Sequence, residues 1–387
     1  MSMPSRVAVV GTGYVADLYM RSIELHPEVQ IVGAYDLRTD RLHQFCDFWN
    51  VLAMDSLEAL IAALPTDGLV LNLTSPASHY KVSRTCLEAG RHVYSEKPLA
   101  LNFEDACKLV SLAEERGLQF GGAPCSHLSR AAQTLGAAVH SGIAGPIRLV
   151  YAELDDGYIP QAPYVKWLSE SGAPWPYENE MRTGCTLEHA GYVLTWMIAI
   201  FGSIRTITAF STAAIDKGLD GGCDTPDISI GILQFDSGPV VRVTCTIVAP
   251  HDHRILMVGD KGVLEVDDSW KNAAPVVFRK RFKLLRRLME SPVPRKLQLA
   301  ADPSTRKARR RGAASMDFFL GPIEHLAAIQ GAKVNRVGPA LTLHMTEATL
   351  FLQSAGQEST TYRMKSRCDP LPSMDWAQTL RSDGGKG

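Results

Sequence analysis

The sequence predicts an α/β plus α+β chain: a doubly wound parallel sheet comes first, then an open, mostly antiparallel sheet with helices on one face. Three observations predict it. Over residues 6–124, short apolar runs alternate with amphipathic segments, as repeated βα units require. Beyond Pro124 the strands become longer and alternating, and turn signals such as Asp236-Ser237-Gly238-Pro239 and Gly259-Asp260-Lys261-Gly262 separate them, which favours an antiparallel meander. Finally, 387 residues exceed what one hydrophobic core usually organises. The expected division is 1–124, 125–356 and an extended tail at 357–387, where periodicity fades, prolines recur and the end is glycine-rich.

Taken in order, the first-sheet strands are read at 6–10, 30–35, 68–73, 92–95 and 118–121. Continuous runs such as Val7-Ala8-Val9-Val10 suit parallel strands covered on both faces. Helices are read between them at 16–25, 38–48, 56–63, 78–89 and 103–116. Alternating strands follow at 147–154, 204–211, 228–235, 240–248 and 255–266, and apolar helices at 190–201 and 340–354 are expected to cover them.

Hydrophobic residues make up 45% and charged residues 21%, close to an ordinary globular protein, which excludes wholesale disorder or a disulfide scaffold. A formal net charge of -1 gives no reason to expect nucleic acid or membrane as the main partner. The eight cysteines include no C-x-x-C pair, no signal-like stretch precedes the first strand, and no apolar segment is long enough to span a bilayer. A cytoplasmic enzyme is the expectation. The stretch 279–311 stands apart, with thirteen Lys or Arg against two acids. Phe282, Leu285 and Leu288 have roughly helical spacing there, which suits an anionic surface; a solvated insertion or subunit contact is the plainer reading.

Gly11-Thr12-Gly13-Tyr14-Val15-Ala16 follows the first strand and opens the first helix. Gly11 allows the tight turn, Gly13 lets the backbone approach a pyrophosphate, and the helix N-terminus offers N–H groups to phosphates. This is a Rossmann dinucleotide fingerprint, with Ala16 where a third glycine often stands. Asp36, at the end of the second strand, can accept hydrogen bonds from a ribose and would repel a 2'-phosphate, so NAD is favoured over NADP. Arg38 is the opposing signal, since it can clasp that phosphate, and Asp36 as a helix cap is the plain alternative.

A third cluster is Tyr94-Ser95-Glu96-Lys97-Pro98, which follows Thr74-Ser75-Pro76-Ala77-Ser78-His79. With these segments, the glycine fingerprint and the G-D-K-G hairpin, residues 5–355 resemble the glucose-fructose oxidoreductase, inositol dehydrogenase and rhizopine catabolism (Gfo/Idh/MocA) family. The resemblance implies cofactor contacts from Thr74, Ser75, Pro76, His79 and Glu96, and catalysis, with contacts to cofactor and substrate, from Lys97. A lysine desolvated beside a cationic ring is expected to have a lowered pKa and to relay the alcohol proton.

The family's second-domain D-x-G-x-H pattern is altered here. In Thr183-Gly184-Cys185-Thr186-Leu187-Glu188-His189-Ala190-Gly191-Tyr192-Val193, His189 stands at the acid's place and Val193 at the histidine's. His189 is therefore expected to take over proton transfer, with Glu188 and Tyr192 beside it at the substrate. Further substrate candidates are Lys166, Trp175 and Arg182 on an aromatic, proline-rich loop, and His127 and Arg130 past the junction. Asp155-Asp156 and His251-Asp252-His253 resemble metal ligands, but alternation points adjacent side chains to opposite faces, so no metal is expected.

The readings are a sugar or cyclitol dehydrogenase, a glycosidase or lyase that oxidises its substrate transiently with a recycled NAD, and a non-enzymatic NAD-binding regulator. Retention of Lys97 argues against the last. A homo-oligomer formed through the open face of the second sheet is expected.

Overall fold

The computed structural model describes residues 4–301 and 316–381. Five parallel strands, β1 (Ser5–Val10), β2 (Val29–Tyr35), β3 (Leu69–Asn72), β4 (His92–Ser95) and β5 (Phe120–Gly122), form a sheet in the order β2-β1-β3-β4-β5. Helices α1 (Tyr14–Ile23), α2 (Thr39–Trp49), α3 (Leu57–Ala63), α4 (Pro76–Glu88) and α5 (Phe103–Glu115) connect them. The uninterrupted apolar runs are explained by two cores. Val7, Val9, Leu69 and Leu71 enter one cluster, and Ala8, Val10, Val70 and Val93 enter another, so both faces are covered. Polar punctuation sets helix starts: Ser56 Oγ accepts from Ala59 N–H at 3.0 Å and Asn102 Oδ1 from Asp105 N–H at 2.8 Å.

The second part begins with α6 (Arg130–His140) and β6 (Ile147–Asp155), then α7 (Tyr177–Thr183) and α8 (Gly191–Phe201). Strands β7 (Ile204–Thr212), β8 (Ile228–Phe235), β9 (Val240–Thr246), β10 (Ile255–Gly259), β11 (Gly262–Val266), β12 (Val276–Leu284), β13 (Arg287–Glu290) and β14 (Arg295–Leu297) follow. After the second described stretch opens come α9 (Leu320–Ile329), α10 (Pro339–Ser354) and β15 (Thr360–Arg363). The sheet runs β13-β12-β11-β10-β6-β9-β8-β7-β15, with β14 paired to β12. Its neighbours are antiparallel except β6 and β9, which are parallel.

One face of this sheet is roofed by α6, α8 and α10, through Leu135, Leu194, Trp196, Met197, Met345 and Leu352. Each such fully buried large apolar side chain contributes about 1.5–3 kcal/mol. The other face is open, and Ile230 and Ile232 are 41% and 40% exposed on it.

Four expectations need correction. Residues 255–266 are two strands, β10 and β11, because the Asp260-Lys261 turn reverses the chain. The basic run from 279 is no helix: β12 and β13 form a hairpin whose tip residue Leu285 is 96% exposed, since the β-rich Val276-Val277-Phe278 start pairs with β11 before any helix can begin. The basic residues at 306–311 lie outside the described residues. The stretch from 357 is more than a tail, since β15 adds to the sheet edge beside β7 and Cys368 is buried. Lastly, the division at 124 is crossed: α9, within the stretch assigned to the second part, returns to cover the first sheet, with Phe318, Phe319, Leu326 and Val337 joining the core of Val7 and Leu69.

Candidate functional site

The glycine turn lies at the carboxyl ends of the parallel strands. Gly11 has φ +93°, and a Cβ there would stand 2.6 Å from the carbonyl carbon and oxygen of Leu73, so only glycine fits. A Cβ on Gly13 would meet no heavy atom of the described residues within 4 Å, which leaves open space beside the first turn of α1. Tyr14 and Val15 begin that helix. Asp36 Oδ2 accepts from Thr12 N–H at 2.8 Å and Oδ1 from Arg38 N–H at 2.9 Å, which fixes the carboxylate at the end of β2 while Arg38 stays exposed. These features fit a dinucleotide: a positive-φ glycine, a bare approach, a helix N-terminus and an acid at the end of the second strand.

Sequence reasoning missed Arg41. Its buried guanidinium donates to Thr12 O at 2.7 Å and Ser171 O at 2.8 Å, and it also bonds Ser171 Oγ. Ser171 Oγ donates to Asp17 at 2.7 Å, so a loop of the second part is fastened onto the glycine turn.

Beyond β3, Ser75 stands at the N-cap position of α4 without a side-chain cap bond and Pro76 opens the helix, while Thr74 Oγ1 donates to Asn72 Oδ1 at 2.7 Å. His79 is buried with its ring nitrogens 2.7 Å from Pro98 O and 2.9 Å from Thr74 O, so it ties two loops together. Burial pushes its pKa down. Beyond β4, Glu96 accepts from Tyr19 Oη at 2.7 Å and from Lys97 N–H at 3.0 Å.

Lys97 Nζ is paired with Glu188 Oε2, across the junction between the two parts. Glu188 and His189 sit on a π-helical turn, Thr186–Ala190, that runs into α8. Such wide turns recur at functional sites. Burial alone would push the Lys97 ammonium down, but the Glu188 carboxylate, with Tyr192, Glu180 and Glu96, holds it above its ordinary value. The expected lowering is thus reversed in this structure, because the second part supplies a carboxylate counter-charge. Burial and then the Glu188 carboxylate push Glu180 well above the usual carboxylate range.

His189 Nε2 lies 3.7 Å from Asp156 Oδ2, and its Nδ1 has no hydrogen-bond partner among the described residues. Burial lowers the His189 pKa against the pull of Asp156. The Tyr192 ring packs 5.2 Å from Trp270, and burial raises its phenol. Trp270 also meets His189 at 5.9 Å and His253 at 4.4 Å. The structure therefore brings together Glu96, Lys97, Glu188, His189 and Tyr192, and adds Glu180, Asp156, His253 and Trp270.

Other candidates lie elsewhere. His127 Nε2 is 2.8 Å from Arg336 O, and the residue lines a separate cavity with Gln133 and Trp196; burial drives its pKa down to about 4. Arg182 bonds Glu178 at 3.1 Å and the Asp220 and Gly222 carbonyls, because α7 points it outward. Lys166 is exposed beside the cluster of Tyr164, Trp167, Trp175 and Tyr177, in which Trp167 and Trp175 are 5.2 Å apart. Glu180 gave no periodic or motif signal in the sequence. Asp156 and His253 did, but the alternation argument concerned adjacent residues, and His251 and His253 are two apart.

Among the described residues, no helix is long and apolar enough to cross a membrane. Residues 5–122 match the profile of an oxidoreductase family with an NAD-binding Rossmann fold, and residues 132–265 match the C-terminal domain profile of the same family. The chain is 25% identical over 285 residues to the mouse (Mus musculus) trans-1,2-dihydrobenzene-1,2-diol dehydrogenase, covering 72% of this chain and 79% of that protein. It is 22% identical over 266 residues to the myo-inositol 2-dehydrogenase of Thermotoga maritima, covering 68% and 75%. In fold it is similar to an inositol dehydrogenase homologue from Azotobacter vinelandii solved with NADH and myo-inositol. That likeness has a TM-score of 0.71 and 15% identity, and it covers 94% of this chain and 98% of that one.

Proposed function

The chain belongs to the Gfo/Idh/MocA oxidoreductase family, and from that premise we propose that it oxidises a hydroxyl of a sugar, sugar derivative or cyclitol reversibly, using NAD in preference to NADP. The observation that carries this reading is the largely buried Lys97–Glu188 pair, which stands beyond β4 at the same carboxyl end of the sheet as the glycine turn. In such sheets ligands bind outside the carboxyl ends of the strands.

Residues Gly11 to Val15 would hold the pyrophosphate and Asp36 the ribose, while Thr74, Ser75, Pro76 and Glu96 would line the nicotinamide half. When bound, the dinucleotide supplies the acceptor for the hydride that leaves the carbinol carbon. The substrate hydroxyl proton goes to Lys97 Nζ as Lys97 passes one of its own to Glu188, so the ammonium is regenerated and the pair acts as a relay. His189, held near Asp156, is the second group placed to bind the substrate oxygen or carry a proton. The cluster of Tyr164, Trp167, Trp175 and Tyr177 supports stacking against a sugar ring.

A panel of sugars, sugar acids and cyclitols is expected to give NADH formation with at least one member. Asp36→Ser should narrow the preference for NAD; a tenfold wild-type preference for NADP, about 1.4 kcal/mol, overturns the cofactor assignment. Glu180 favours a second reading. A carboxyl whose pKa burial and the Glu188 carboxylate raise well above the usual range suits a general acid for elimination or glycoside cleavage after transient oxidation, with NAD restored in each turnover. Product release without net NADH would select that reading.

The free state of all eight cysteines supports a cytoplasmic location. We place the subunit contact of a homo-oligomer on the open sheet face around Ile230 and Ile232, where Ile232→Arg should dissociate the assembly in light scattering.

A further inference from the structure

Three neighbouring strands of the second sheet end in one corner. The end of β6, the lead into β10 and the exit from β11 are held together by backbone bonds, Asp155 with Asp252 and Ser269 with His253. This brings one ligand atom each from Asp156, His251 and His253 within 4.8 Å of one another. His253 Nε2 is 3.3 Å from Asp156 Oδ1, the separation of two donors that share a tetrahedral ion with bonds of about 2.0–2.1 Å. The rings of His251 and His253 lie 4.0 Å apart.

Two further observations point to a ligand. His253 is 1% exposed, and its two ring nitrogens face carboxylates on opposite sides, Asp156 and Asp268, without meeting hydrogen-bond geometry to either. On the far side of the ring, Asp268 Oδ1 stands 3.7 Å from His253 Nδ1 and accepts from Trp270 N–H at 2.9 Å, while Lys271 holds Oδ2 at 3.1 Å. A carboxylate behind a ligating histidine is the usual outer support of a metal site.

We propose that Asp156, His251 and His253 bind a zinc-type divalent cation, with Asp268 orienting His253. Two imidazoles and one carboxylate are the donors such an ion takes when one position stays open. Asp156 Oδ2 lies 3.7 Å from His189 Nε2, so the open position adjoins the proposed substrate region. The ion would hold a substrate oxygen there or clamp the corner. The site is independent of the dehydrogenase reading, because the cation binds the protein without substrate or cofactor.

The full-length protein, stripped with a chelator and dialysed, should take up one equivalent of Zn2+ in calorimetry, and Co2+ should give the visible absorption of a low-coordinate site. His251→Ala alters an exposed side chain and should keep the fold while weakening Zn2+ affinity at least tenfold. Asp268→Asn should weaken it about 10–100-fold. Substitution of the exposed His43 by Ala should change nothing. The assignment is overturned if wild type takes up no stoichiometric Zn2+, if His251→Ala binds like wild type, or if bound Co2+ keeps the spectrum of the hexaaqua ion.

Discussion

The glycine turn and the Lys97 corner both follow the carboxyl ends of parallel strands but are built in opposite ways. At the turn, backbone does the work: Gly11 fits against the Leu73 carbonyl and Gly13 leaves space, while Asp36 is fixed by Thr12 and Arg38 N–H groups within 26 residues of chain. At the corner, side chains do the work. Lys97 comes from the first part, Glu180, Glu188 and His189 from two helical turns, and Asp156 and His253 from strand ends. A backbone site tolerates almost no change in shape. A side-chain site tolerates changes of shape but depends on charge balance, since the buried Glu188 and the largely buried Lys97 are paired.

Substitutions at the two sites should therefore fail differently. Gly11→Ala combines a positive φ with a collision against backbone and should cost about 3 kcal/mol of stability, read from the denaturant midpoint. Gly13→Ala meets no described neighbour and should keep that midpoint while losing about tenfold in NAD affinity. Equal stability loss in both variants would break the comparison. Lys97→Ala should lower kcat about 100-fold with NAD affinity nearly unchanged, because the pyrophosphate and ribose contacts are elsewhere. If NAD affinity falls as far as kcat, the corner is also a binding site for the cofactor.

Acid should have a smaller effect, on stability. Burial lowers His127 and His344 of the second part to about 4, from an ordinary 6.5. Between those values the unfolded chain takes up protons that the folded chain refuses, so stability falls as pH falls. Each imidazole should cost about 1 kcal/mol between pH 6.5 and about 5.5. His344 Nε2 accepts from Ile204 N–H at 2.9 Å, which only the neutral ring can do. His344→Gln should flatten part of that slope in denaturant titrations at the two pH values; an unchanged slope would show that His344 contributes nothing to it.

The same contrast explains what was legible in the sequence. Parallel strands write their burial as unbroken apolar runs, and the glycine fingerprint spans six residues, so the first sheet and its turn could be placed from local pattern. The E-K-P triplet marked Lys97 for the same reason. Glu188 as its partner was not readable, because nothing local reports a contact across 91 positions. Arg41 looked like any surface residue of an amphipathic helix until Ser171 was seen to cover it. The β12–β13 hairpin was misread because Phe282, Leu285 and Leu288 fit a helical period by chance, while the pairing with β11 that decides the matter is tertiary. His251 and His253 were judged with their neighbour Asp252, although strand alternation puts residues two apart on one side.

The return of α9 to the first sheet has a consequence for how the protein is born. Phe318, Phe319, Leu326 and Val337 complete the core that Val7, Val9, Leu69 and Leu71 begin. On the ribosome, the five strands emerge about 200 residues before their cover. At roughly 5–20 residues per second, that face waits on the order of 10–40 s for its missing wall. During that interval α1 and α2 cover only part of the face, and the apolar surface left for α9 is open, so the early part of the chain is a natural client for a holding chaperone and a poor candidate for expression as an isolated fragment.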